Sequence, residues 1–150
     1  MKIVIGCDHA APEYREMIKE ELLAAGHEVI DLGVKAGEKA DYPDVAEKAG
    51  RLVADGTCEK GILICGTGVG MSIAANKIPG VRAACCSDLS SARLCRAHND
   101  ANVLCFGQRI VGSEVAKELV EVFLRTPFEG GRHARRVDKI RALDGVRHDA

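Results

Sequence analysis

Apolar positions along the chain come in two patterns: short continuous runs, and longer stretches where they recur every three or four residues. The short runs predict strands at residues 2–6 and 28–32, at Ile62-Leu63-Ile64, and at residues 81–86 and 101–106. Runs without polar alternation suit strands buried on both faces of a parallel sheet. The periodic stretches predict helices. The first opens at Pro12, carries Tyr14, Met17, Ile18 and Leu22 at helical spacing, and stops at Gly26. The second follows Tyr42-Pro43-Asp44 and carries Val45, Ala46, Ala49, Leu52 and Val53. Met71-Ser72-Ile73-Ala74-Ala75 is good helix-forming material, and residues 89–97 form another helical stretch. Residues 111–124 are strongly periodic, with Val115, Leu119, Val122 and Phe123 on one side, and a short basic helix covers residues 132–143.

Five strands alternating with helices predict an α/β fold: a three-layer αβα Rossmann-like sandwich with a five-stranded parallel sheet. The chain of 150 residues reads as a single domain, with no internal repeat or low-complexity linker. Residues 127–150 stand apart, because Gly130-Gly131 and a basic face suggest an arm that packs on a neighbouring subunit. In such sheets ligands bind beyond the carboxyl ends of the strands. Asp8-His9, residues 65–70, Asp88 and residues 107–109 fall at that edge, whereas His98-Asn99-Asp100 ends a helix just before the fifth strand.

Most of the chemistry gathers at the third strand. After Ile64 come Cys65-Gly66-Thr67-Gly68-Val69-Gly70, three glycines in five residues leading into a helix. Such a turn gathers unpaired backbone N–H groups around one point, which makes an anion site with the Cys65 thiol at its lip. A dinucleotide fingerprint would need G-x-G-x-x-G, but counting from Gly66 the sixth residue is Met71, and counting from Gly68 the pattern fails again. Asp88, about 20 residues on, could still imitate a ribose-binding acid. A purely structural explanation, glycines for tight strand-to-helix packing, also stands.

Composition narrows the setting. Seven cysteines, an odd number without a C-x-x-C pair, argue for reduced thiols in a cytoplasmic protein rather than a disulfide scaffold. Cys7, Cys65, Cys85, Cys86 and Cys105 lie in or beside apolar runs and read as small hydrophobes. A net charge of −1 gives no global pull toward nucleic acid, and no apolar run is long enough to span a membrane. The first six residues are too strand-like for a signal peptide. Positive charge collects late, in Arg132-His133-Ala134-Arg135-Arg136 and Arg141.

Other candidates have ordinary explanations beside functional ones. Arg132 and Arg136, four apart on one helix face, suit a phosphate, though such pairs are usually solvated. Cys95 and His98 could start a metal site but have no companions nearby in sequence. His98-Asn99-Asp100 could simply cap a helix, and His9 suits core or site equally. Taken together, these groups suit binding a phosphorylated small molecule, moving a proton with a thiolate and holding the oxyanion that develops.

Five motifs in order, covering nearly the whole chain, resemble the type B ribose-5-phosphate isomerases, a family that also holds allose-6-phosphate and galactose-6-phosphate isomerases. They are Gly6-Cys7-Asp8-His9-Ala10; Asp41-Tyr42-Pro43-Asp44; residues 64–77; His98-Asn99-Asp100-Ala101-Asn102-Val103-Leu104; and Gly130-Gly131-Arg132-His133 with Arg136. The resemblance implies aldose–ketose isomerisation of D-ribose 5-phosphate to D-ribulose 5-phosphate through a cis-enediolate, without metal or organic cofactor; a hexose-6-phosphate isomerase of the same family and a non-catalytic sugar-phosphate-binding module are the alternatives. It implies Cys65 as the base, and Thr67 and His98 as helpers of ring opening, with His98 the proton donor. Gly66, Thr67, Gly68, Val69 and Gly70 would hold the enediolate oxygen. Asp8, His9, Asn99 and Arg109 would contact the sugar, and Arg132 and Arg136 its phosphate. A homodimer or higher homo-oligomer with a shared site is implied, with the Cys65 sulfur beside the glycine amides and within reach of His98. One branch of the family uses a Glu where this chain has Met71, so Cys65 with Met71 resembles the thiol branch. The chain departs from the first motif at Ala11, where Gly is usual, and the added methyl is expected near the substrate edge, bearing on sugar length.

Overall fold

The computed structural model describes residues 1–34 and 37–146. Five strands and six helices alternate along it: β1 (Lys2–Cys7), α1 (Pro12–Ala24), β2 (Glu28–Leu32), α2 (Tyr42–Ala54), β3 (Lys60–Cys65), α3 (Val69–Ala75), β4 (Ala83–Cys85), α4 (Leu89–Ala97), β5 (Val103–Gly107), α5 (Ser113–Arg125) and α6 (Arg132–Arg141). All strand pairs are parallel, in the order β2-β1-β3-β5-β4. The predicted three-layer architecture is therefore present. Ile3, Ile5, Ile62, Ile64, Leu104 and Phe106 pack on one face with α1, α4 and α5, while Val4, Leu63, Val103 and Cys105 face α2 and α3 on the other.

Differences from the expected elements have local causes. Of residues 81–86 only Ala83–Cys85 form a strand, because the Arg82 N–H donates to the Asn102 side chain at 2.7 Å. On α5 the buried stripe is Ala116, Leu119, Val120, Val122 and Phe123, and Val115 lies outside it, 38% exposed. Cys85 is exposed, unlike the other six cysteines, which are buried; all seven are free thiols.

The C-terminal segment rests on its own chain. Glu129 N–H donates to Ala97 O at 3.0 Å, Arg141 pairs with Asp100, and Gly80 N–H donates to Asp144 at 2.8 Å. Val137 of α6 is buried, whereas Arg132, Arg135 and Arg136 are exposed. The last four residues of the predicted arm lie outside the described residues.

Candidate active site

Strand register brings two of the predicted groups together. Cys7 is level with Ile64 across β1 and β3, so Asp8-His9 and the turn after Cys65 leave the sheet side by side at its carboxyl edge. Cys65, 4% exposed, receives the Gly68 N–H at 3.0 Å from its Sγ. That donor points partial positive charge at the sulfur. The Val69 N–H donates to Thr67 Oγ1 at 3.2 Å, so this amide orients the threonine hydroxyl. α3 has only seven residues, and the anion affinity of the turn rests on individual N–H groups more than on a macrodipole.

Two glycines are required by packing. Gly68 has φ +83°, and a Cβ there would sit 2.7 Å from Phe106 Cα. A Cβ on Gly107 would strike Thr67 and the Gly66 carbonyl, so the turn lies directly on the end of β5. Gln108 and Arg109 N–H donate to the carbonyls of Cys65 and Gly66 at 2.9 and 3.0 Å, locking the two loops together. The remaining two glycines face side chains with chemistry. The exposed Arg109 guanidinium lies against Gly66, and the Tyr42 ring lies against Gly70, where a Cβ would be 2.7 Å from its Cε2.

On the other side of Tyr42 is a cleft of about 370 Å³, lined by Asp8, His9, Ala40, Asp41, Tyr42, Pro43 and Asp44. Asp8 is 6% exposed, and its carboxylate accepts the Ala10 N–H at 2.9 Å. His9 is exposed, with Nδ1 3.3 Å from Ala40 O; donation there leaves Nε2 as an acceptor facing outward. Ala11 is fully buried in the core, so its methyl points inward and not toward a substrate.

His98, Asn99, Arg132 and Arg136 lie elsewhere. α4 runs antiparallel to the strands, so His98 at its C-terminus sits near where β5 begins. The Gly61 N–H donates to Asn102 O at 2.9 Å, which marks that level of the sheet. Four residue steps of β3, roughly 13 Å, separate this level from Cys65. Within one chain, then, Cys65 and His98 occupy opposite edges of the sheet. This corrects the expectation of mutual reach if a single chain is considered. At the second edge His98 and His133 stack, with ring centroids 4.2 Å apart, and His133 Nε2 is 3.5 Å from Glu129 Oε2. Burial, the neighbouring His98 and Arg132 hold the His133 imidazole below its usual range.

Asp100 ends this segment in the left-handed region, φ +47°, and meets three arginines: Arg96 at 2.8 Å, Arg82 at 3.4 Å and Arg141 at 3.7 Å. The carboxylate thus ties α4, β4 and α6 into one unit that presents His98, Asn99, Arg132 and Arg136 together. Cys95 is not part of any three-donor group among the described residues; its thiol is buried, 3.2 Å from Ala92 O. Asp88 caps α4, accepting the Ser91 N–H at 2.8 Å, which explains this acid without a ribose. Tyr42, against Gly70, and His133, stacked on His98, have no site role in the sequence reading. Both lie inside the family-like motifs Asp41-Tyr42-Pro43-Asp44 and Gly130-Gly131-Arg132-His133, the signal the sequence carries for them.

A parallel sheet with a thiol, a glycine turn and a carboxylate–imidazole cleft at its carboxyl edge defines an α/β enzyme that works on a small polar substrate. The family model described as Ribose/Galactose Isomerase matches residues 3–140, and the chain belongs to this family of isomerases. It is 50% identical to Ribose-5-phosphate isomerase B of Escherichia coli (strain K12), over 98% of this chain and 99% of the relative. It is 43% identical to D-erythrulose-4-phosphate isomerase of Pectobacterium atrosepticum, with 93% of each chain covered. The Clostridium thermocellum ribose-5-phosphate isomerase B structure superposes with a TM-score of 0.93 at 49% identity, over 95% of this chain and 97% of that one.

Proposed function

We propose that this isomerase interconverts D-ribose 5-phosphate and D-ribulose 5-phosphate through a cis-enediolate, with Cys65 as the base. The observation that carries the proposal is the Cys65 sulfur under the Gly68 N–H, between the Asp8–His9 cleft and Arg109. Moving a proton between C1 and C2 needs a base beside preorganised donors for the developing oxyanion. Cys65 Sγ abstracts the proton and returns it to the neighbouring carbon. Amides of the turn hold the enediolate oxygen, and Thr67 steadies the ring oxygen during opening. Asp8, His9 and Arg109 orient the hydroxyls.

The proton donor for ring opening, His98, acts in this scheme from a second copy of the chain, along with Asn99 and the phosphate-holding Arg132 and Arg136. The opposite-edge placement of Cys65 and His98 supports this shared arrangement. So do the exposed apolar side chains Val69, Ile73, Leu89 and Ile110 on elements that meet the Cys65 edge, which a second copy would cover. We place the protein in pentose-phosphate metabolism in the reducing cytoplasm, as the free thiols suggest.

The test is isomerisation of ribose 5-phosphate by wild type and Cys65→Ala. The variant is expected to lose about 10²–10⁴-fold in kcat while binding the sugar phosphate nearly as before; an unchanged kcat would remove Cys65 from its role. A second assignment, a tetrose- or hexose-phosphate substrate, is favoured by the erythrulose-phosphate relative and the broader family name. Comparing kcat/KM on ribose 5-phosphate, erythrulose 4-phosphate and allose 6-phosphate decides between them.

A further inference from the structure

The edge remote from Cys65 carries a group of donors that the isomerase chemistry does not need in that combination. His98, Glu129 and His133 each offer one ligand atom, and the three atoms lie within 4.8 Å of one another. One pair, His133 Nε2 and Glu129 Oε2 at 3.5 Å, already has about the separation of two donors on a tetrahedral zinc with bonds near 2.0–2.1 Å. The backbone under the donors is tied: Glu129 N–H to Ala97 O, His98 N–H to Leu94 O at 2.9 Å, and His133 N–H to Gly130 O at 3.0 Å. Closing on an ion therefore asks for side-chain rotation of the half-buried His98 and the exposed Glu129, with His133 held in place. The two rings, now stacked with an interplanar angle of 13°, must tilt so that their lone pairs converge.

We propose that His98, Glu129 and His133 form a site for a zinc-class transition ion, and that occupancy inhibits the enzyme by withdrawing His98 from ring opening. Two imidazoles and a carboxylate select such ions over Mg²⁺ and Ca²⁺, which prefer all-oxygen shells. Three protein ligands leave a fourth position for water or a phosphate oxygen. Binding stands on the geometry alone; the inhibitory consequence rests on the proposed role of His98.

The experiment is calorimetric titration of the full chain with ZnCl₂, beside isomerase assays in ZnCl₂ and MgCl₂, for wild type, Glu129→Gln and His133→Ala. Wild type is expected to bind one zinc per chain at this site and to lose activity as it fills, reversibly with a chelator, while Mg²⁺ has no effect. Glu129→Gln should weaken zinc binding by about tenfold and His133→Ala by more, each shifting the inhibition curve, measured against the variant's own rate, by the same factor. Because seven thiols are present, Co²⁺ loading provides a second readout, and a site of nitrogen and oxygen donors gives no intense thiolate-to-cobalt band. Should His133→Ala fail to fold, the exposed Glu129→Gln carries the test. Zinc binding and inhibition unchanged in Glu129→Gln, or a strong thiolate band accounting for the bound ion, would overturn the site. Binding that follows the variants without inhibition would overturn the regulatory half. A protein that binds zinc as described yet turns over no sugar phosphate would leave the site standing and refute the isomerase assignment.

Discussion

Gly68 carries three constraints at once. Its φ of +83° is accessible to glycine at little cost, its Cα lies against the Phe106 backbone, and its N–H serves the Cys65 sulfur. Gly68→Ala should therefore cost about 1–3 kcal/mol of stability through strain alone. It should also lower kcat, since any shift that relieves the clash moves the donor off the sulfur. Chemical denaturation and steady-state kinetics check both, and a variant as stable and active as wild type would show that the turn can rearrange freely. The sequence made these residues visible, since three glycines after a cysteine read as a cradle. It left packing and chemistry unresolved between them. The structure assigns packing to Gly68 and Gly107 and the approach of Arg109 and Tyr42 to Gly66 and Gly70.

Helix and strand positions were legible because apolar runs and 3.6-residue periodicity are strong local signals, and all five strands and the long helices lie where the pattern puts them. Long-range contacts were not legible. Nothing local says that Glu129 would stand beside His98, or that Asp100 would gather Arg82, Arg96 and Arg141. That network makes a prediction for the elements it joins. Asp100→Asn keeps a residue tolerant of positive φ but leaves the buried Arg96 guanidinium without its carboxylate. A loss of about 2 kcal/mol is expected, read by urea unfolding; no loss would mean that the carbonyls of Ala101 and Thr126 suffice for Arg96.

At the other end of the sheet Asp31 on β2 binds Arg15 and Lys19 of α1 and accepts the Gly33 N–H at 2.7 Å. Burial raises the Asp31 pKa, but the Gly33 N–H, Lys19 and Arg15 together outweigh it and hold the carboxyl below its usual range. A depressed folded-state value contributes stability above the unfolded carboxylate pKa, and that contribution fades as pH falls through the folded value. Asp31→Asn should cost about 1–2 kcal/mol at neutral pH, with the gap from wild type narrowing below about pH 4. A gap independent of pH would mean that shape, not charge, holds β2 to α1.

For the whole molecule, the sheet separates the groups that the proposed reaction brings together. The carboxyl edge holds Cys65, the turn amides and the Asp8–His9 cleft, while the opposite edge holds His98, Asn99 and the arginines on one rigid unit. The motifs grouped these residues on one chain but could not show their distribution over two edges, because sequence order does not reveal which end of α4 faces which end of β3. In a two-fold dimer each residue of one copy meets its counterpart's partner reciprocally, so two composite sites would form.

The most direct measurement mixes two variants, Cys65→Ala and His98→Ala, each expected to be nearly inactive alone. After dissociation and reassembly in equal amounts, about half the dimers are mixed, and each mixed dimer has one site with both groups intact, so about a quarter of wild-type activity should return. A mixture that stays as inactive as its components, despite demonstrated exchange of copies, would contradict a shared site built from the Cys65 sulfur and a second copy's His98.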